Sequence, residues 1–199
     1  MHLLALIGSN GIGRLAFRLP NDTAATGAGP VIDRATLLAM PYSADVFDEL
    51  VRAYLSTGAG IAGMQPKIMV PTRASIPIPI PNLIVKAASP AYPGLAANEY
   101  LCLSAARRAG IDVPGFDLSD DGQLLLVDRF DIADDGTRLG FEDIAALMGL
   151  RVRDVHSDRK YQGSYEAIAQ LLRLFGMAAE DLRRLFEQVA LSVMVRNGD

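Results

Sequence analysis

Around Asp134-Asp135-Gly136 the pattern of this 199-residue chain changes, and that change limits the folds open to it. Before it, short apolar runs alternate with clusters of Gly, Pro, Asn, Asp and Ser, the pattern of strands joined by turns. After it no strand pattern appears, and three helical segments follow at Phe141–Leu150, Ser164–Phe175 and Ala178–Arg196. In the last of these, Leu182, Leu185, Phe186, Val189 and Val193 recur at spacings of three and four, an apolar stripe along one helix face. A β-rich segment followed by a helical one predicts an α+β fold.

Within the β-rich part, Leu4–Ile7 and Ile12–Phe17 flank Ser9-Asn10-Gly11, which predicts a hairpin, and Pro20–Pro30 reads as a loop. Ser43 or Asp45 can cap a helix carrying Val46, Leu50 and Ala53 on one face. Arg73–Pro81 (RASIPIPIP) has proline at every second position from Pro77. Proline has no N–H to give a neighbouring strand, so this run is an edge strand or an extended connector. Leu83–Lys86 is a short buried strand ending in lysine. A helix is expected over Leu95–Ala109, anchored by Leu95, Tyr100 and Leu103, with Glu99 in its first turns and Gly110 as its stop. Phe116–Leu118 and Gln123–Val127 straddle Ser119-Asp120-Asp121-Gly122, a hairpin signal.

Composition narrows the function. Half the residues are hydrophobic and 21% are charged, the profile of a folded globular protein, and the net charge of -4 offers no basic footprint for direct nucleic-acid binding. Cys102 is the lone cysteine and reads as helix core, so no internal disulfide framework or cysteine-rich zinc site can form. His2 and His156 add too few ligands for a structural metal. No apolar run reaches the roughly 18–20 residues that span a bilayer, and the first residues carry no basic region ahead of an apolar stretch. A cytoplasmic location without membrane association is expected. No Gly-x-Ser-x-Gly elbow is present.

Four places could carry chemistry. Ser56–Val70 holds the glycines of Gly58-Ala59-Gly60-Ile61-Ala62-Gly63-Met64-Gln65-Pro66-Lys67, and a glycine-rich turn lets backbone N–H groups approach phosphate oxygens. The Walker A spacing is absent, and Gly58-x-Gly60-x-x-Gly63 lacks the strand and helix that give a dinucleotide fingerprint its meaning, so a flexible hairpin turn fits as well. Lys86 at the end of its strand could pair with Glu99 and present an ammonium to a phosphate; a snorkelling lysine and a solvated glutamate are the plainer reading. In Val127-Asp128-Arg129-Phe130 the backbone could read an adenine where two lobes connect, and Arg129 could equally be a structural ion-pair partner. Asp199 ends the chain in Arg196-Asn197-Gly198-Asp199, where nothing local distinguishes it from a solvated terminus.

Taken together, these segments resemble the HipA family of bacterial toxin kinases. The matching pieces, in the family's order, are GIAGMQPKIMV at 60–70, LIVKAASPAYPGLAANEYLCLSAARRAGIDVP at 83–114, LLLVDRFD at 124–131, FEDIAALMGL at 141–150, KYQGSYEAI at 160–168 and VRNGD at 195–199. The resemblance implies a two-lobed protein-kinase-like fold. In it, residues 1–30 would end the small β-subdomain and linker that precede the kinase core, 31–131 would form the N-lobe, and 132–199 part of a helical C-lobe.

It further implies ATP and magnesium as cofactors and transfer of phosphate to a serine or threonine of a protein such as an aminoacyl-tRNA synthetase, with a HipB-like antitoxin as partner. Carried over by motif, Gly60, Ala62, Gly63, Gln65 and Lys67 would lie near the ATP phosphates, and Lys86 would be the phosphate-binding lysine with Glu99 as its helix partner. Asp128 and Phe130 would lie at the adenine-binding hinge, and Asp199 would be the catalytic aspartate that orients the attacking hydroxyl.

Two departures stand out. Gly60 occupies the place where family members often carry a serine whose autophosphorylation switches activity off, although Ser56 and Thr57 lie close by. The family also continues past its catalytic aspartate with a His and an Asn, then a later Asp, and the last two hold magnesium. This sequence is therefore expected to be truncated at its C-terminus and at its N-terminus, and to transfer little or no phosphate by itself. The alternatives are a non-catalytic, pseudokinase-like remnant that binds nucleotide or antitoxin, and a scaffold without a nucleotide site, in which Lys86 and Glu99 would be unpaired.

Overall fold

The computed structural model describes residues 12–15, 33–43, 45–46, 78–80, 83–88, 93–150 and 163–196. The strand expected at Leu4–Ile7, the loop at Pro20–Pro30, the helix positions Leu50 and Ala53, the glycine-rich stretch and Asp199 lie outside them, as do His2 and His156. The architecture is α+β, in two compact units, one within residues 1–103 and 114–141 and one within 104–113 and 142–199.

Among the described residues, the first unit is built on a four-stranded antiparallel sheet. Its strands are β1 (Ile78–Ile80), β2 (Leu83–Ala87), β3 (Phe116–Leu118) and β4 (Leu124–Asp128), in the spatial order β1-β2-β4-β3. The proline-alternating run supplies β1 at the sheet edge, where Pro79 stands opposite Ile84 and its missing N–H costs no inner ladder bond. β3 and β4 form the expected hairpin. Its turn is fixed by Gly122 at φ +71° and by Asp121, which accepts from the Ser119 hydroxyl and the Gln123 N–H.

The sheet's two faces follow from strand alternation. Leu83, Val85 and Ala87 of β2 and Leu124 and Leu126 of β4 form one buried cluster with Leu37. Leu37 belongs to α1 (Arg34–Ala39), a six-residue helix capped by Asp33, whose carboxylate accepts from the Thr36 N–H. The sequence reading contains no helix here, because six residues hold too little periodicity to register. Further along, Ser43 accepts from the Val46 N–H, the cap anticipated for the next helix.

The opposite face carries Lys86, Leu125, Val127 and Phe116, and α2 (Leu95–Arg108) serves it: the Tyr100 ring meets the Phe116 ring edge-on at 5.3 Å. α2 ends as anticipated, with Arg107 and Arg108 in its last turn and Gly110 at φ +81°. Cys102 on this helix is only partly buried.

Residues 12–15 do not form the strand expected of Ile12–Phe17. They bend instead, because Gly13 sits at φ +87° and gives its N–H to the Asp131 carboxylate at 2.8 Å, a distant bond that an extended run would not make.

In the second unit, helix α3 is confined to Ile144–Leu147, much shorter than the anticipated Phe141–Leu150. Asp143 caps it by accepting from the Ala145 N–H, and Gly149 at φ +68° ends it. α4 (Tyr165–Leu174) begins at Ser164, which accepts from the Ala167 N–H, and is followed by Gly176 at φ +77°. In α5 (Ala179–Met194), Asp181 reaches back to the Ala178 N–H, so an alanine cap is served by the helix's own first turn. Neither α4 nor α5 contains a buried residue.

Candidate functional site

Two short elements bring the strand lysine and the helix glutamate together. Lys86 is the fourth residue of β2, one step from the strand's end, and Glu99 lies in the second turn of α2. Alternation turns the Lys86 side chain toward the α2 face, and its Nζ donates to Glu99 Oε1 at 2.7 Å. The pair is neither buried nor free, with 35% and 36% of the two side chains exposed. An ammonium has three donors and this bond engages one, so Lys86 retains hydrogen-bonding capacity toward an anion. The pairing removes the condition that the scaffold reading required.

The segment leaving β4 contains the residues Asp128, Arg129, Phe130 and Asp131. Arg129 and Asp131 form a buried, two-pronged ion pair: Nε donates to one carboxylate oxygen at 2.9 Å and Nη2 to the other at 2.6 Å. These side chains are 1% and 0% exposed. The Arg129 side chain is thus an ion-pair partner. Burial pushes the Asp131 carboxyl up, but the Arg129 hydrogen bonds, the Gly13 N–H and the Arg129 charge outweigh it and hold the group below its usual range. The Asp131 carbonyl also accepts from the Leu139 N–H, closing the loop that follows.

Phe130 stands out from this knot, 47% exposed, with its ring centroid 5.6 Å from that of Phe141. Asp128 is turned the other way. In register opposite Leu83, its carboxylate lies on the α1 face, where Arg34 Nη1 donates to Oδ1 at 2.7 Å. The same guanidinium holds Asp117 of β3, with Nε at 2.7 Å and Nη2 at 2.6 Å from Oδ2. Burial lowers the Arg34 pKa, but the two carboxylates outweigh it and raise it above the ordinary value.

The structure therefore brings Lys86 and Glu99 together and places the Asp128 side chain away from them. Gly60, Ala62, Gly63, Gln65, Lys67 and Asp199 lie outside the described residues. Arg34, Gly115 and Asp131 escaped the sequence reading. Asp117 and Asp128 on consecutive strands gave no local signal for a shared arginine far earlier in the chain, whereas Asp131 two residues after Arg129 was a visible pair.

Protein kinases pair a strand lysine with a helix glutamate, and the first unit holds a pair of that kind. Residues 59–199 match the family model described as the HipA-like C-terminal domain, and the chain belongs to that family. A protein of Sinorhizobium fredii named "Putative kinase Y4dM" is 31% identical over 131 residues, an overlap of 58% of this chain and 30% of that protein. The chain thus matches less than a third of that relative's length.

Proposed function

We propose that this chain carries the nucleotide-binding part of an ATP-dependent serine/threonine protein kinase of the HipA type, within a two-lobed kinase-like fold. The observation that carries the reading is the 2.7 Å contact between Lys86 Nζ and Glu99 Oε1. A carboxylate holding one ammonium proton fixes the direction of the other two, and a lysine so oriented is suited to the phosphates of ATP.

ATP would supply the phosphoryl group for transfer. Lys86 would bind its phosphates, Glu99 would orient Lys86, and the backbone of Asp128–Phe130 would meet the adenine. Gly60, Ala62, Gly63, Gln65 and Lys67 would lie near the phosphates, and Asp199 would orient the attacking hydroxyl. In this reading the phosphate acceptor is a cytoplasmic protein, an aminoacyl-tRNA synthetase being the family's precedent, and a HipB-like antitoxin is the partner. Magnesium belongs to the same chemistry. Among the described residues no group of three or more acidic, histidine or cysteine side chains could hold a metal ion, so none of them is assigned to it.

Calorimetric titration of ATP into the wild-type chain and into Lys86→Ala tests the proposal. Binding that weakens by about tenfold or more in the variant is the expected result. A wild-type chain that takes up no ATP, or a variant that binds it equally well, would sink the reading.

A further inference from the structure

We infer that Arg34 is a positioning residue for base recognition, acting from the face of the sheet opposite Lys86; the inference rests on the kinase reading above. In register, Asp117 stands opposite Leu126, and Leu126 and Asp128 are alternate residues of β4, so both carboxylates project from the α1 face. Arg34 is the first residue of α1 and spans them both. Its guanidinium therefore ties the last residue of β4 to the neighbouring strand β3 and to the helix.

The attachment is reinforced along α1 and beyond it. The Leu37 side chain is fully buried in the core, the Leu38 carbonyl accepts from the Asp120 N–H at 2.9 Å, and the Tyr42 N–H donates to Asp121 at 2.7 Å. α1 is therefore a fixed platform, and Arg34 transmits its position to Asp128. Gly115 completes the arrangement, since its carbonyl accepts the Asp128 N–H at 2.7 Å and its missing Cβ leaves room for the Asp128 carboxylate. The backbone that follows Asp128 is the segment assigned to the adenine. Arg34 Nη1 donates one bond to Asp128 while Nε and Nη2 of the same rigid guanidinium are held by Asp117, and this fixes where that backbone begins.

In the proposed arrangement Arg34, on the α1 face, would lie away from the phosphates, and Lys86, on the α2 face, would serve the phosphates and not the base. Their substitution should therefore separate two properties of binding. Arg34→Gln is expected to weaken ATP by about threefold to tenfold and to narrow the preference of ATP over GTP, leaving the preference of ATP over adenosine intact. Lys86→Ala should do the reverse. Arg34→Lys, which keeps the charge but not the fork, should restore ATP affinity only in part.

The experiment is calorimetry with ATP, GTP and adenosine on the four 199-residue proteins, with circular dichroism to establish that each is folded. ATP binding that depends on Lys86 but shows an unchanged ATP-to-GTP ratio in Arg34→Gln overturns the positioning role alone. Absence of ATP binding by the wild type overturns the kinase reading and this inference with it.

Discussion

Lys86 and Asp128 stand on opposite faces of one sheet, since Lys86 lies opposite Leu125 while Asp128 lies opposite Leu83, three residues earlier along β2. A ligand held by the lysine on the α2 face cannot also be held by the aspartate's carboxylate on the α1 face. The Asp128 carboxylate is held by Arg34 instead.

That separation makes Arg34 and Asp128 a coupled pair. Arg34→Gln and Asp128→Ala each break the same contact at 2.7 Å, so the double variant should be little less stable than the worse single one. Both side chains are over a third exposed, so the coupling in urea unfolding should be about 1 kcal/mol. Fully additive losses would show that the two residues act independently.

Gly115 offers a steric test of the same corner. A Cβ there would stand 1.9 Å from Asp128 Oδ2, an overlap only a shift of the carboxylate or the strand can relieve. Because Arg34 holds the carboxylate in place, Gly115→Ala should cost about 1–3 kcal/mol in urea unfolding. In an Asp128→Ala background the cost should largely vanish, and its persistence there would place the clash elsewhere.

Much of this architecture was legible in the sequence because its signals were local. Alternate prolines gave the edge strand β1, Gly110 gave the end of α2, and Ser119-Asp120-Asp121-Gly122 gave the β3–β4 hairpin. Signals that depend on distant partners were lost. Gly13 was read into a strand because its bond to Asp131 spans 118 residues, and α1 was overlooked because its place depends on Leu37 reaching a core supplied by β2 and β4. The Lys86–Glu99 pair was foreseeable because the two residues are 13 apart, on adjacent elements.

Asp131 should be the most sensitive charged residue described. Asp131→Asn would take the Asp131 charge from the Arg129 guanidinium, 1% exposed, and give the Gly13 N–H a weaker acceptor. A loss of about 3–5 kcal/mol is expected in thermal or urea unfolding. A single variant of wild-type stability would remove the pair from the fold's foundations.

The same carboxylate gives the stability a pH dependence. Its folded-state pKa lies below the ordinary value of 3.8, so on acidification the unfolded chain takes up the proton first. The contribution is complete above the unfolded value and is lost as the pH falls through the lowered folded one. Melting temperature should therefore drop as the pH falls below about 5, and the drop should be shallower in Asp131→Asn. Parallel curves for the two proteins would assign the acid sensitivity to other carboxylates, Asp121 among them, where burial raises the pKa but hydrogen bonds from Tyr42, Ser119 and Gln123 lower it further.

Local stability should differ sharply between the sheet and the later helices. Leu124, Leu125 and Leu126 are completely buried, so exposing the amides of β4 requires opening the core of the first unit. In α4 and α5 no residue is buried, and Leu174, Phe186, Val193 and Met194 are 85%, 70%, 69% and 79% exposed. Their helices rest on caps and on pairs such as Arg183 with Glu180 and Glu187, each contributing a few tenths of a kcal/mol, about 0.2–0.5. Hydrogen exchange followed by mass spectrometry or NMR should find β4 the slowest segment, with α5 exchanging faster by at least about tenfold. Equal protection in α5 and β4 would mean that the apolar face of α5 is covered in solution, and that the second unit draws its stability from contacts beyond its helix caps and surface ion pairs.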